Sequence, residues 1–242
     1  MPALSPSDVL HALCSRDPDS QLKAVRDIKN GIIGNRRKKQ KLFGAVPRLV
    51  EIVKEYDENV VSEPTRSEVV VHAIAALGSF AFGSMECNTA VITAGAFPLL
   101  KQLLYSRNQK VVSGAVRSIK ILLEGNPNAS HHIFRRDNDN DTDMLPENNA
   151  VGVAKKPSVA GQSCGGVTPT VERLMQLIAE GQQGTADVAA LLLARACQTR
   201  EQQVEILKNQ RHIKSTMRTG DSTDGQEFLS AHAFAFSHLG ND

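Results

Sequence analysis

The chain has 242 residues, enough for one or two domains with a substantial core. Apolar residues make up 41%, which places it among chains that fold, and a net charge of +2 gives no general argument for binding nucleic acid or a membrane surface. The four cysteines, Cys14, Cys87, Cys164 and Cys197, form no Cys-x-x-Cys pair, which argues against a zinc site and gives no disulfide signature.

The N-terminus, "MPALSPSDVLHALCSRDPDS", has no basic segment followed by an apolar one. No apolar run approaches the roughly 18 residues of a membrane span. A soluble protein of the cytoplasm and nucleus with reduced thiols is expected. Residues 1–7 are expected to be disordered.

The first periodic stretch, "DSQLKAVRDIKNGIIGN", reads as the long helix of a part-repeat whose start is degraded. A basic run, "RRKKQK" (36–41), follows it. Such a run is more often a solvated turn than an import signal or a phosphate contact. Next comes "GAVPRLVEIV" (44–53), where apolar residues fall two, five and six places after Pro47, at Leu49, Ile52 and Val53. Those offsets share one helix face. Proline suits a first helical turn, and the preceding glycine is expected to end the earlier segment in a left-handed conformation.

A polar stretch, "DENVVSEPTR" (57–66), reads as a lengthened loop. "SEVVVHAIAALGSFAFG" then carries Val70, Ile74, Leu77 and Ala81 at helical spacing, with small residues among them. Closely stacked helices need such residues at their contacts. A third segment, "ECNTAVITAG", leads to "GAFPLLKQLL" (95–104), where Leu100, Leu103 and Leu104 repeat the offsets from Pro98. "KVVSGAVRSIKILLEG" supplies the next long helix through Val112, Ala115, Ile119 and Leu122. Pro47 and Pro98 lie 51 residues apart, and the 57–66 loop accounts for the excess over the usual ~40–47 of such units.

Residues 137–167 are rich in Asn, Asp, Gly, Pro and Ser and lack helical period, so a disordered insertion is expected there. Its "DNDNDTD" (137–143) fails as a calcium loop, because Thr142 and Asn148 stand where glycine and glutamate are required. His131 and His132 have no partner at metal-site spacing. The offsets return in "VERLMQLIAEG" at Leu174, Leu177 and Ile178, with Glu172 replacing the proline. "TADVAALLLARACQTREQQVEILKNQ" follows as a long helix and its successor. Residues 214–242 do not continue the pattern and read as a degenerate or unstructured segment.

The unit resembles the armadillo repeat, Gly-Ala-x-Pro-x-Leu followed by a helix ending near Gly-Asn-Pro, as in "LLEGNPNA" (122–129). That resemblance implies an all-α, right-handed α-solenoid of armadillo repeats. A part-repeat and two repeats would occupy 8–136, and a further repeat 168–213. The expected core includes Leu49, Ile52, Leu77, Leu100, Leu103, Ile119, Leu122, Leu174, Leu177 and Leu192, and Leu103→Asp is expected to unfold the stack by placing an unpaired charge in that core.

Residues 22–50, with Lys29, Asn30, Ile32, Ile33, Gly34 and Asn35, then Arg36 to Lys39, then Gly44 to Pro47, are similar to the armadillo repeat-containing protein 8 family. "AALGSFAFG", "AGAFPLLKQLL" and "KVVSGAVRSIKILLEGNP" follow that family in order. The resemblance implies a non-catalytic scaffold of a GID/CTLH-type E3 ubiquitin ligase, in which RING subunits elsewhere carry the chemistry and this subunit links the core to a substrate receptor. Its partners would be proteins of that ligase. No P-loop or nucleophile motif occurs, and no cofactor, metal, small-molecule, nucleic-acid or membrane partner is expected.

The alternative is a peptide-binding adaptor, such as the armadillo proteins of nuclear import. Those line a groove with repeated Trp and Asn. This chain has no Trp, and the ladder position holds Asn30, Ser79, Ile121 and Arg195. Asn30, Ser79 and Arg195 are taken as a protein-binding surface on the long helices.

Overall fold

The computed structural model describes residues 6–15, 17–56, 64–134, 168–180 and 182–218. Among the described residues there are α-helices and no strand. They are α1 (Pro6–Leu13), α2 (Pro18–Ile32), α3 (Arg36–Lys41), α4 (Val46–Lys54), α5 (Pro64–Ala81), α6 (Met85–Thr93), α7 (Ala96–Leu103), α8 (Gln109–Gly125), α9 (His131–Phe134), α10 (Pro169–Glu180), α11 (Gln183–Ala196) and α12 (Arg200–Arg218). A short helix, a middle helix and a long helix recur as α3–α4–α5, α6–α7–α8 and α9–α10–α11. The pair α1–α2 precedes them.

Local chemistry sets the joints. Gly34 and Gly83 take the left-handed conformation at φ 68° and 77°, which glycine adopts without a Cβ penalty. Each is followed by a cap. Asn35 accepts from the Lys38 backbone N–H at the start of α3, and Ser84 accepts from that of Cys87 at the start of α6. Asn108 caps α8 and Asp17 caps α2 in the same manner. The two glycines before the prolines differ. Gly95 is left-handed at φ 85°, but Gly44 sits in a 3-10 turn, Phe43–Ala45, and has no positive φ. The left-handed expectation fails at Gly44 because Leu42 already ends α3 through its own backbone N–H.

Three further expectations shift. The basic run folds as helix α3 rather than a turn. Pro64 opens α5, so residues 64–66 belong to that helix and not to the 57–66 loop. Helix α1 includes Pro6 and Ser7, and α12 runs to Arg218, past position 213. The remainder of that loop and the 137–167 insertion lie outside the described residues. So do residues 1–5 and 219–242.

The long helices pack in series, α2 on α5, α5 on α8 and α8 on α11. Nine of the ten expected core residues are buried: Leu49, Ile52, Leu77, Leu100, Ile119, Leu122, Leu174, Leu177 and Leu192. Leu103 is the exception. It is only partly buried, whereas its neighbour Leu104 is fully buried. Helix α7 ends at Leu103, so the six-place offset faces the core and the five-place offset drifts to its rim. The fully buried leucine of the two is therefore Leu104, and a charge at Leu103 would stand at the rim of the core. Replacing Leu104 by Ala should cost about 2–5 kcal/mol, and replacing Leu103 by Ala clearly less. Urea denaturation of the two variants beside the parent measures the difference.

The contact of α5 with α8 is close. A Cβ on Gly78 would lie 2.8 Å from Ser118 Oγ, and one on Gly114 would lie 3.3 Å from Ile74 Cγ2. The Ser118 hydroxyl cannot retreat freely, since it donates to the Ile74 carbonyl at 3.0 Å. Gly78→Ala should therefore lower stability by about 1–3 kcal/mol, the range for overpacking. Adding Ser118→Gly should restore part of the loss in thermal melts.

Candidate protein-binding surface

A row of long helices offers one side to its neighbours and the other to solvent. On α2 the outward positions hold Lys23, Arg26, Asp27 and Asn30. On α11 they hold Asp187, Leu191 and Arg195.

The expected surface residues lie on three of these helices. Asn30 is exposed near the end of α2. Ser79 is half-buried on α5, and its hydroxyl donates to the Ala75 carbonyl at 2.8 Å. That bond turns it toward its own helix. Arg195 is exposed near the end of α11, with α8 standing between it and α5. No described hydrogen bond joins these three residues to one another.

The structure brings together a different group, across the α2–α5 contact. Arg26 places a guanidinium N–H 2.6 Å from Glu68 Oε2, and its Nε donates to His72 Nε2 at 3.1 Å. Lys29 Nζ lies 3.4 Å from His72 Nδ1. A neutral imidazole has one lone pair to offer. If Nε2 accepts from Arg26, Nδ1 carries the proton and faces an ammonium. Lys29 thus gains no acceptor from the ring. Among the described residues it also has no carboxylate partner.

Burial first, then the nearby Lys29 and Arg26 charges, holds the His72 pKa below the ordinary value of 6.5, while Glu68 opposes them. The Arg26–Glu68 pair is about half exposed, so it contributes roughly 1 kcal/mol or less. Two cations against one carboxylate leave this part of the face positive. An anionic side chain on a partner is what it can accept. Sequence reading did not single out this group, although Arg26 and Lys29 share a helix face, as do Glu68 and His72. The missing information was which long helix packs on which.

Among the described residues, no group of His, Cys, Asp or Glu has the geometry to hold a metal ion. No described helix is long and apolar enough to cross a membrane.

The depressed His72 pKa has a defined consequence for stability. The unfolded chain takes up a proton at this residue at a higher pH than the folded chain does. Stability is therefore complete above about pH 6.5 and declines as the pH falls through it toward the lower folded pKa. We expect a lower melting temperature at about pH 5.5 than at about pH 7.5. His72→Gln should shrink that difference.

No family model matches the chain. Armadillo repeat-containing protein 8 of Mus musculus is 30% identical over 108 residues, covering 44% of this chain and 15% of that protein. The protein of the same name from Pongo abelii is 31% identical over 103 residues, 42% of this chain and 14% of that one. The chain thus matches a small part of these relatives' length.

Among solved structures, an engineered protein from the Northeast Structural Genomics Consortium aligns with a TM-score of 0.65 at 21% identity, covering 96% of this chain and 81% of that one. A designed armadillo repeat protein in complex with the peptide (KR)4 aligns with a TM-score of 0.59 at 19% identity, covering 95% and 81%. The fold is the all-α, right-handed α-solenoid of armadillo repeats. The N-terminal part of the chain resembles the armadillo repeat-containing protein 8 family.

Proposed function

We propose that this chain is a non-catalytic armadillo scaffold in a GID/CTLH-type E3 ubiquitin ligase. It links the catalytic core to a substrate receptor and supports proteasome-dependent protein degradation in the cytoplasm and nucleus. The carrying observation is the similarity to armadillo repeat-containing protein 8, at 30% identity over 108 residues. Its physical support is the unbroken row α2, α5, α8 and α11, whose outward sides give one long face. A solenoid spreads its contacts over several units, so no single catalytic pocket is required.

The second reading is an armadillo peptide-binding adaptor of another pathway. It is supported by the designed armadillo protein bound to (KR)4. That peptide consists of cations only. On this chain such a ligand would meet Arg26 and Lys29, and Asn30 and Ser79 stand without a neighbouring tryptophan. The Arg26 and Lys29 charges disfavour a basic side chain at that place on the face.

Affinity purification of the tagged chain, and of an extended form where the gene encodes one, separates the two. Subunits of a multi-protein ubiquitin ligase should be recovered, with no ligase activity from the purified chain alone. Arg26→Glu should reduce that recovery only partly, since the contacts are distributed. Recovery of nuclear-import cargo in place of ligase subunits would overturn the scaffold reading.

A further inference from the structure

A second surface lies at the edge of the stack, away from the outward face of the long helices. The C-terminal ends of α2 and α5 turn there into α3 and α6. Between them is a cavity of 470 Å³. Ile32, Phe43, Phe82 and Ala90 give it an apolar lining, and Arg36 and Lys39 stand at its polar side. Phe43 is held in place by an edge-on contact with the buried Phe80 ring, 6.0 Å between centroids. The cavity runs into a shallower groove along α6, and the two share Glu86 and Ala90.

Two features of this edge need a partner. The first is apolar. Phe82, which lines the cavity, is 64% exposed, and Met85, which lines the adjoining groove, is 59% exposed. Exposed apolar side chains gathered at one place and rimmed by polar groups mark interaction surfaces. The second is charge. Helix α3 reads Arg-Arg-Lys-Lys-Gln-Lys and contains no acid. Among the described residues, Arg36, Arg37, Lys38 and Lys41 enter no ion pair. Glu86 is the one carboxylate lining the cavity. Lys39 Nζ donates to the Phe82 carbonyl at 2.5 Å, which sets its ammonium at the cavity wall. Burial there pushes the Lys39 pKa down, and the neighbouring Cys87 opposes that shift.

We propose that the edge groove between α3 and α6 binds an acidic segment of a partner protein that inserts a bulky apolar side chain. The apolar side chain enters between Phe43 and Phe82. The acidic residues beside it lie along Arg36, Lys39 and the rest of α3. Charge complementarity selects the class of occupant, because Arg36 and Lys39 line the groove against the one carboxylate of Glu86, and the rest of α3 adds positive potential beside it. A volume of 470 Å³ suits one large side chain and its neighbours rather than a whole helix.

Fluorescence anisotropy with the full chain tests this. The probe is a fluorescein-labelled peptide, Asp-Glu-Asp-Glu-Phe-Leu. Two controls replace either its acids or its Phe-Leu pair by Ser. We expect saturable binding of the probe, weakened about tenfold or more by either control and by raised salt. The variants Arg36→Glu with Lys39→Glu, and Phe82→Ser, should lose a similar factor. Both alter exposed or half-exposed side chains, and circular dichroism verifies that they fold. Lys110→Glu, at an exposed position at the start of α8, should bind like the parent, while Arg26→Glu tests the scaffold reading alone, so the two results are obtained separately.

The proposal is overturned by absence of saturable binding, or by equal binding of the probe without Phe-Leu, which would be charge attraction alone. It is also overturned if Lys110→Glu loses as much as the edge variants. Light scattering covers a further outcome: dimerisation that Phe82→Ser abolishes, without peptide binding, would assign the edge to a second copy of the chain. Last, if the probe binds only after Asp137, Asp139, Asp141 and Asp143 are changed to Asn, the occupant is the chain's own acidic segment and not a partner.

Discussion

The close approach of α5 and α8 is the constraint on which the stack depends. Here each helix sets a glycine against a side chain of the other, Gly78 against Ser118 and Gly114 against Ile74, with no room for a Cβ on Gly78. The Ser118 hydroxyl, buried at 2% exposure, bonds to the Ile74 carbonyl of the facing helix. A buried hydroxyl needs such a partner, and the small neighbours bring the partner within reach. Once α5 and α8 sit at this distance, their remaining faces are committed. Val69, Val70, Ala73 and Ile74 fill the inner side of α5, and Val112, Ala115, Ile119 and Leu122 fill that of α8. The middle helices close the core from one side. The short helices are left at the edge, with little room to bury more than one stripe each.

That edge position explains the composition of α6. Its buried residues are Asn88, Val91 and Ile92. Asn88 is fully buried, and its amide donates to the Leu122 carbonyl near the end of α8 at 3.0 Å. The Leu122 carbonyl also accepts from the Asn126 backbone N–H, so the amide of Asn88 adds a second donor there and ties the end of the long helix to the short helix of its own unit. Gly125 has no Cβ because the Asn88 amide occupies that space. The glycine in "LLEGNP" is thus a packing requirement between the short and long helices of one unit and not a left-handed turn residue. At the two earlier junctions glycine has the other role, a left-handed step at Gly34 and Gly83 that swings the chain into α3 and α6. The same residue type at the same place in the repeat answers to two different physical demands.

Much of the fold was legible in the sequence because a repeat writes the same pattern several times. The offsets after Pro47 and Pro98 located the middle helices, and the small-residue stretches located the long ones. Leu103 shows where such reading stops. Two adjacent leucines at the end of a short helix are equally good by period, and only the place where α7 ends decides between them. Gly44 and Gly95 look alike in "GAVP" and "GAFP", yet a local hydrogen bond at Leu42 separates them. The binding surface was less legible. Asn30, Ser79 and Arg195 stand at equivalent positions of α2, α5 and α11. Ser79, however, is tied to its own backbone, and the charged group Arg26, Lys29, Glu68 and His72 emerges only when α2 is laid on α5. Contacts between residues more than forty positions apart leave no local signature.

The last unit shows how the stack stays continuous across a long chain interruption. Between Phe134 and Thr168 the chain leaves the described residues, yet α10 and α11 are seated on the preceding unit by direct contacts. Arg173 donates from Nε to the Leu104 carbonyl at 2.9 Å, and its guanidinium lies over the Tyr105 ring at 5.9 Å from the centroid. The Tyr105 hydroxyl donates in turn to the Pro169 carbonyl at 2.8 Å. These bonds satisfy a carbonyl at the end of α7 and one at the start of α10, both lying at the join. Val171, Leu174 and Met175 are fully buried behind them. Neighbour contacts, rather than the covalent path, therefore place α11 on α8. Loop entropy rises only slowly with length, so an insertion between a short and a middle helix costs the stack little. The outward face of the long helices, on which scaffold binding would rely, can thus run past an insertion of any composition, provided the two units on either side still meet.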